Sequence, residues 1–319
     1  MCDGSETALL WKRLFRRQWT ALAGGTLLLL TLLTPSAFAQ DMPLSQVLLP
    51  GAKWELLGEG YEFTEGPAVA ANGEVFFTDV PASRIYRISV EGDVSLFAEN
   101  TARTNGLMFG PDGRLYGCRN GEKKIVAWQL DGTMETIATD VQSNDIAVLS
   151  DGSLYFTDPR GGKVWRVDAA GRKSVVASDL RPNGLILWGD EGTLVVTDSA
   201  EPWLWAFQVA QDGSLGFGDR YYGPLRLPSG SDSPRPGSDG MTVDRDGRLY
   251  VATRAGIQMF DTTGRMGGVI PQPQPKFVSN VVFGGPEHEY LYITCTDRVY
   301  RLKTRTAGLP YFQQSRAEE

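Results

Sequence analysis

Short runs in which apolar and polar residues alternate fill most of this chain, and they recur as one unit written six times. The copies are "GEVFFTDVPASRIYRI" (from Gly73), "GRLYGCRNGEKKIVAWQL" (Gly113), "GSLYFTDPRGGKVWRV" (Gly152), "GTLVVTDSAEPWLWAFQV" (Gly192), "GRLYVATRAGIQMFD" (Gly247) and "EYLYITCTDRVYRL" (Glu289). The five opening glycines lie 40, 39, 40 and 55 residues apart. Each copy holds two period-two runs joined by Asp, Gly, Asn or Pro, the pattern of antiparallel hairpins. A third run precedes it ("AVA", "LMF", "IAVL", "LILW", "MTV", "VVF"), and in the first three copies a fourth follows ("VSLFAEN", "METIATD", "KSVVASD"). Four strands per repeat of about 40 residues is the period of a β-propeller blade, and six blades fall within the range such rings adopt. The pattern predicts an all-β, six-bladed β-propeller with four antiparallel strands per blade.

Ring closure is also written in the pattern. The sixth unit runs through "RVYRLKTRTAGLP" into a polar tail with no outer strand left for it, whereas "WELLGEG" (Trp54 to Gly60) reads as an outer strand ahead of the first blade. This segment is predicted to complete the last blade and remove the free edge. The extra length of the longest interval, "GFGDRYYGPLRLPSGSDSPRPGSDG", is predicted to be a loop between blades four and five, of a size that often serves as a lid.

Eight or nine residues before each hairpin turn stands an acid or an amide: Glu65, Asn105, Asn144, Asn183, Asp239 and Asn280. Any one of them could be only a turn-former, but turns accept Gly, Ser and Pro as readily. Six oxygen-bearing side chains at one register, each at the start of a channel-lining strand, predict convergence on the propeller axis. Oxygen donors without sulfur or imidazole select a hard cation, and two carboxylates among amides balance a divalent charge. Ca²⁺ fits best, with Mg²⁺ and Mn²⁺ as substitutes. His288 is the sole histidine and lies in the turn "GPEHEY", which excludes a His-based zinc site and a Ser-His-Asp triad.

The N-terminus departs from the repeat. Lys12, Arg13, Arg16 and Arg17 precede the apolar run "TALAGGTLLLLTLL", followed by Pro35 and the small residues Ala37 and Ala39. Residues 1–39 read as a secretory signal peptide, leaving residues 40–319 as a single exported domain, periplasmic or secreted. The alternative is a retained membrane anchor, since the apolar run approaches the ~20 residues of a span; after cleavage no stable membrane insertion is expected. Residues 1–39 carry four basic and two acidic side chains, so the remainder stands at −9 against −7 for the whole chain. That acidity argues against a nucleic-acid partner. Cys118 and Cys295 fall in blades two and six, and are expected as buried free thiols. Trp128, Trp165, Trp203 and Trp205, with Tyr86 and Tyr300, are read as packing between blades. Asp79, Asp158 and Asp198 are read as turn holders, with Asp198 and Ser199 also candidates for the pocket rim.

"TEGPAV", "TNGLMFGPDGRLY", "SNDIAVLSDGSLYFTDP", "RPNGLIL", "SDGMTVDRDGRLYVAT" and "SNVVFGGPEHEYLYIT" resemble the senescence marker protein, gluconolactonase and luciferin-regenerating-enzyme family over roughly residues 55–303. The resemblance implies a six-bladed propeller with one catalytic divalent metal, usually Ca²⁺ or Zn²⁺, that hydrolyses lactones. It places Glu65, Asn183 and Asp239 as metal ligands, and Asn144 against metal or substrate. Animal members bind substrate with an Arg where this chain has Gln142, so the substrate contacted there is expected to differ. On this reading Asp239 is the candidate general base, and Asn105 and Asn280 orient ligands and substrate from the rim. The substrate is a small-molecule lactone or ester. Two rivals remain: calcium-dependent aryl-ester or phosphotriester hydrolysis, and a non-catalytic binding propeller.

Overall fold

A computed structural model of the chain describes residues 42–230 and 235–309. Six four-stranded antiparallel sheets succeed one another along the chain, as the repeat predicts. Blade one comprises Thr64–Val69, Val75–Asp79, Arg84–Ile88 and Val94–Glu99, from the inner strand outward. The inner strands of blades two to five are Thr104–Phe109, Ile146–Val148, Pro182–Leu187 and Met241–Val243. Blade six contributes Asn280–Gly284, Tyr290–Cys295 and Arg298–Lys303, and its fourth strand is Glu55–Glu59.

That last pairing closes the ring in the register Glu55 to Arg301, Leu56 to Tyr300 and Glu59 to Arg298. Arg301 fastens it. Its guanidinium binds Glu55 at 2.7 and 3.2 Å, donates to the carbonyls of Val90 (3.2 Å) and Glu91 (2.8 Å) in blade one, and lies 4.7 Å from the centre of the Tyr290 ring. One buried cation therefore joins the first blade, the closing strand and the last blade. Trp54, just outside the strand, donates from its indole to the Pro271 carbonyl at 2.9 Å.

The core is a ring of packed interfaces rather than a single ball. Among the described residues, each apolar cluster lies between two neighbouring blades. Phe76, Phe109 and Trp128 pack between blades one and two, and Tyr116, Ile146 and Phe156 between two and three. Tyr155 and Leu194 join three to four, and Tyr222 and Phe260 join four to five. Tyr250 and Phe283 join five to six, and Phe77 and Tyr292 join six back to one. Burying each such side chain contributes about 1.5–3 kcal/mol. Trp165, Trp205, Tyr86 and Tyr300 also belong to these clusters, in line with the packing read for them. Cys118 and Cys295 are buried and free.

The turns explain the recurring acids. Asp112, Asp131, Asp151, Asp190 and Asp212 each accept from the backbone N–H two residues on, at 2.8–3.1 Å. Such bonds fix a hairpin turn locally. Asp79 accepts from the N–H groups of Glu62 (3.1 Å) and Phe63 (3.0 Å), and Asp158 from that of Gly161 (2.7 Å). Asp198 holds Ala200 N–H at 3.0 Å, so it serves the turn while its neighbour Ser199 lines a cleft.

One expectation needs correcting. The segment from Gly216 to Tyr222, read as part of a long loop, is strand: Leu215–Tyr222 is the outer strand of blade four, paired from Leu204 with Tyr222 to Val209 with Leu215. Two register shifts interrupt the pairing, and Gly216 and Gly218 break the alternation that would have marked it. The connection that remains begins at Gly223 and is clamped early. Gln258, fully buried, accepts from Arg226 N–H (2.8 Å) and donates to Arg226 O (2.9 Å). Residues 1–41, which contain the expected signal segment, and 231–234, within the expected lid, lie outside the described residues. Among the described residues no helix is long and apolar enough to cross a membrane.

Candidate active site

Each of the six predicted acids and amides occupies the same place at the head of an inner strand, and neighbouring blades lock them there through the backbone. Gly106 N–H donates to Asn144 O (2.8 Å) and Gly240 N–H to Ser279 O (3.0 Å), each bond crossing from one blade to the next. Thr78 Oγ1 donates to Asn105 O at 3.1 Å, again between blades. In four blades the acid or amide is followed by glycine, and packing shows why. A Cβ on Gly66 would overlap the carbonyl of Asn105, and one on Gly240 would overlap the Asn280 side chain. The missing side chain lets the next blade's polar group approach the axis.

Blade three breaks this rule. Where Gly66, Gly106, Gly184 and Gly240 stand in four of the others and Val281 in blade six, it has Asp145, a third carboxylate left unassigned by the sequence pattern. The repeat itself carried the signal, as an acid substituted at a glycine register. Asp145 accepts from the N–H of Ile146 at 3.0 Å, and also from that of Leu185 in blade four.

Glu65, Asp145 and Asp239 come from blades one, three and five, yet each pair of them interacts electrostatically. Alternate blades of a six-membered ring can meet in this way only at its axis. The Asn280 amide bonds both Glu65 and Asp145, and the Asn183 amide bonds Asp239. Glu65, Asp239 and Asn280 are buried, while Asn105, Asn144, Asp145 and Asn183 are half-buried. Burial, first, and the neighbouring carboxylates, second, hold Glu65 and Asp239 well above the usual carboxylate range. Burial pushes Asp145 up to about 7.

The three acids have no protein cation beside them to offset their charge. The groups acting on the three acids are carboxylates, amides and backbone N–H groups; no Lys or Arg is among them. Among the described residues no three His, Cys, Asp or Glu side chains close into a metal cage by themselves. The donor set here mixes acids with amide oxygens instead, which suits a hard divalent ion.

Asn183 and Asp239 open into a cleft of about 720 Å³, also lined by Ser199, Arg235, Arg254 and Lys276. Gln142 does not line it. That side chain is exposed and belongs to a separate cleft of about 370 Å³ with Phe156, Asp158 and Trp165. Asn105 and Asn144 hold the predicted register, and their backbone carbonyls tie the blades together.

The same stretch of chain that builds this site, residues 63–297, matches the model of one protein family, described as the SMP-30/gluconolactonase/LRE-like region. The chain belongs to that family. Every candidate residue named above lies within the match. A gluconolactonase of Zymomonas mobilis is 26% identical, over 80% of this chain and 82% of the relative. A pentonolactonase of Haloferax volcanii is 25% identical, over 69% of this chain and 76% of the relative. Among solved structures, a gluconolactonase of Xanthomonas campestris superposes with a TM-score of 0.71 at 26% identity, covering 82% of this chain and 92% of that one. Family membership and fold thus agree, and the relatives carry the names of lactone hydrolases.

Proposed function

We propose that this protein is a lactonase dependent on one divalent cation, opening a cyclic ester by attack of water at the propeller axis. The observation that carries this reading is the convergence of Glu65, Asp145 and Asp239, three desolvated carboxylates from alternate blades with no Lys or Arg among them. The lactonases among its relatives support the substrate class.

Glu65, Asp239 and Asn183 would hold the ion, with Asp145 and Asn144 completing the oxygen set. Ca²⁺ is the ion proposed, with Zn²⁺, Mn²⁺ and Mg²⁺ as alternatives. When bound, it supplies Lewis-acid polarisation of a carbonyl and stabilises developing negative charge. The residues do the rest. Asn280 fixes Glu65 and Asp145 through its amide and so keeps the ligands oriented. Asp239, at the base of the cleft, takes a proton from the attacking water. It returns that proton to the ring oxygen as the acyl C–O bond breaks, giving the open hydroxy acid. A carboxylate beside a cation is a weak base, so the contribution of Asp239 comes from its position. Asn105 and Asn144 supply hydrogen bonds to the substrate from the channel wall.

A panel of sugar lactones, aliphatic lactones, an aryl ester and a phosphotriester tests the reaction class. The expected result is highest kcat/KM on lactones. Faster turnover of the phosphotriester or aryl ester would move the protein to the rival esterase class, and turnover of none would leave a binding propeller. Export to the periplasm or medium is proposed with this function, supported by the basic-then-apolar segment up to Ala39.

A further inference from the structure

Blades one and three carry the same aromatic pair but cover it differently. Phe77 is paired with Tyr86 across the second and third strands of blade one, and Phe156 with Trp165 at the same place in blade three. Both pairs are stacked, with ring centres 5.3 Å and 6.2 Å apart. In blade one Tyr61 lays a third ring against the pair, 5.1 Å from Phe77 and 5.0 Å from Tyr86. In blade three the place of Tyr61 belongs to Val141. Each follows a residue of positive φ (Gly60, +88; Asp140, +55). Each also donates its N–H to the carbonyl just before the third strand of the preceding blade, Tyr61 to Asp297 O (3.3 Å) and Val141 to Lys123 O (3.1 Å). Val141, Phe156 and Trp165 all line the cleft of about 370 Å³, so this cleft lies where blade one places the Tyr61 ring.

The rest of the wall is polar and balanced in charge, with Asp140 and Asp158 against Arg160 and Lys173. Lys173 is committed to Thr139 O (2.6 Å), and one Asp158 oxygen to Gly161 N–H (2.7 Å). The Lys163 ammonium, 5.6 Å from the centre of the Trp165 ring, is not part of the wall. Gln142 and Arg160 are exposed, and among the described residues neither side chain has a protein partner. An amide, a guanidinium and the second Asp158 oxygen offer donors and acceptors together. The cleft also adjoins the axial cluster. Gln142 stands two residues before Asn144, about 7 Å along an extended backbone. Thr157, between Phe156 and Asp158, accepts from Asp145 N–H at 3.1 Å.

Resting on the lactonase reading, we propose that the substrate is a glycosyl lactone, whose lactone ring reacts at Asp239 while a neutral sugar ring attached to it fills the cleft between blades two and three. The C–H face of that sugar packs on Phe156 and Trp165, as the Tyr61 ring packs on its pair in blade one. Its hydroxyls, each both donor and acceptor, bond Gln142, Arg160 and Asp158. A volume at the small end of the range for ligand pockets suits a single ring. The rival explanation is that Val141 only changes the packing between blades, which would affect all substrates alike.

The test uses the metal-loaded full chain and three lactones with the same reacting ring: bare, carrying a neutral pyranosyl group, and carrying a phenyl group. The expected result is a kcat/KM at least about tenfold higher for the glycosyl lactone than for the other two, carried by KM. Val141→Tyr should fill the cleft as Tyr61 does in blade one and bring the glycosyl lactone down to the bare one. Gln142→Ala should lower the glycosyl-to-bare ratio, and its exposed position lets it carry the test if Val141→Tyr fails to fold. A structural role would move both rates together. Equal kcat/KM for glycosyl and bare lactones, a preference for the phenyl group, or variants that move all substrates equally overturns the proposal and leaves the lactonase reading standing. Failure to turn over any of the three overturns both.

Discussion

Replacing Asp239 with Asn lowers lactone turnover by about three orders of magnitude, in the range that removal of a positioned general base produces. The substitution keeps the shape of the side chain, so it can still accept from the Gly240 N–H that bonds the native carboxylate. It also removes one of three mutually repelling charges, so with the ion stripped from both, the variant should fold and melt no lower than wild type. The loss should appear in kcat more than in KM, because proton transfer belongs to the transition state. Steady-state rates beside a thermal melt check both halves. A variant with normal turnover would take Asp239 out of the mechanism.

The second large effect concerns stability. A divalent ion that binds only the folded protein adds about 2.7 kcal/mol at a hundredfold excess over Kd. For a domain of this size that is about 5 °C in Tm. Chelation should therefore lower the melting temperature by this order, and refilling should restore it.

The pH dependence of the stripped protein has a definite sign. Asp145 is raised to about 7, and Glu65 and Asp239 are also raised, so between the ordinary carboxylate range and these values the folded state binds protons that the unfolded chain has released. Stability then falls as pH rises. The stripped protein should melt higher at pH 5 than at pH 8. Added cation should remove most of that difference, because the ion competes with protons for the same oxygens. Scanning calorimetry at the two pH values, with and without chelator, measures this. A stripped protein that is more stable at pH 8 would contradict the reading of the axial cluster.

The blade repeat was legible because every interface between blades asks the same thing of the sequence. Phe76, Tyr116, Tyr155 and Tyr250 occupy corresponding strands and serve equivalent packing roles, so period and pattern reinforce one another. The closing strand was legible for the same reason, with Glu55 to Glu59 fitting the gap left beside Arg298 to Lys303. The outer strand of blade four was not, because its glycines and two register shifts hide the alternation that a regular strand shows.

At the site, the register of Glu65, Asn183, Asp239 and Asn280 followed from the repeat. Asp145 escaped because it sits one residue past that register, where four of the blades make room with glycine. Gln142 was assigned by family resemblance along the chain, yet three residues of separation from Asp145 carry its side chain into another cleft. Position in a motif constrains the backbone, but not which groove a long side chain enters.

The central claim is that these axial carboxylates hold one divalent ion on which lactone hydrolysis depends. The most direct measurement strips the compact unit Gln40–Glu319 with chelator and follows hydrolysis of its best lactone while Ca²⁺ is added in fractions of an equivalent, then repeats the titration with Zn²⁺, Mn²⁺ and Mg²⁺. The account predicts no turnover in the stripped protein and a linear return that saturates at one ion per chain. Full turnover with the ion demonstrably removed would contradict it.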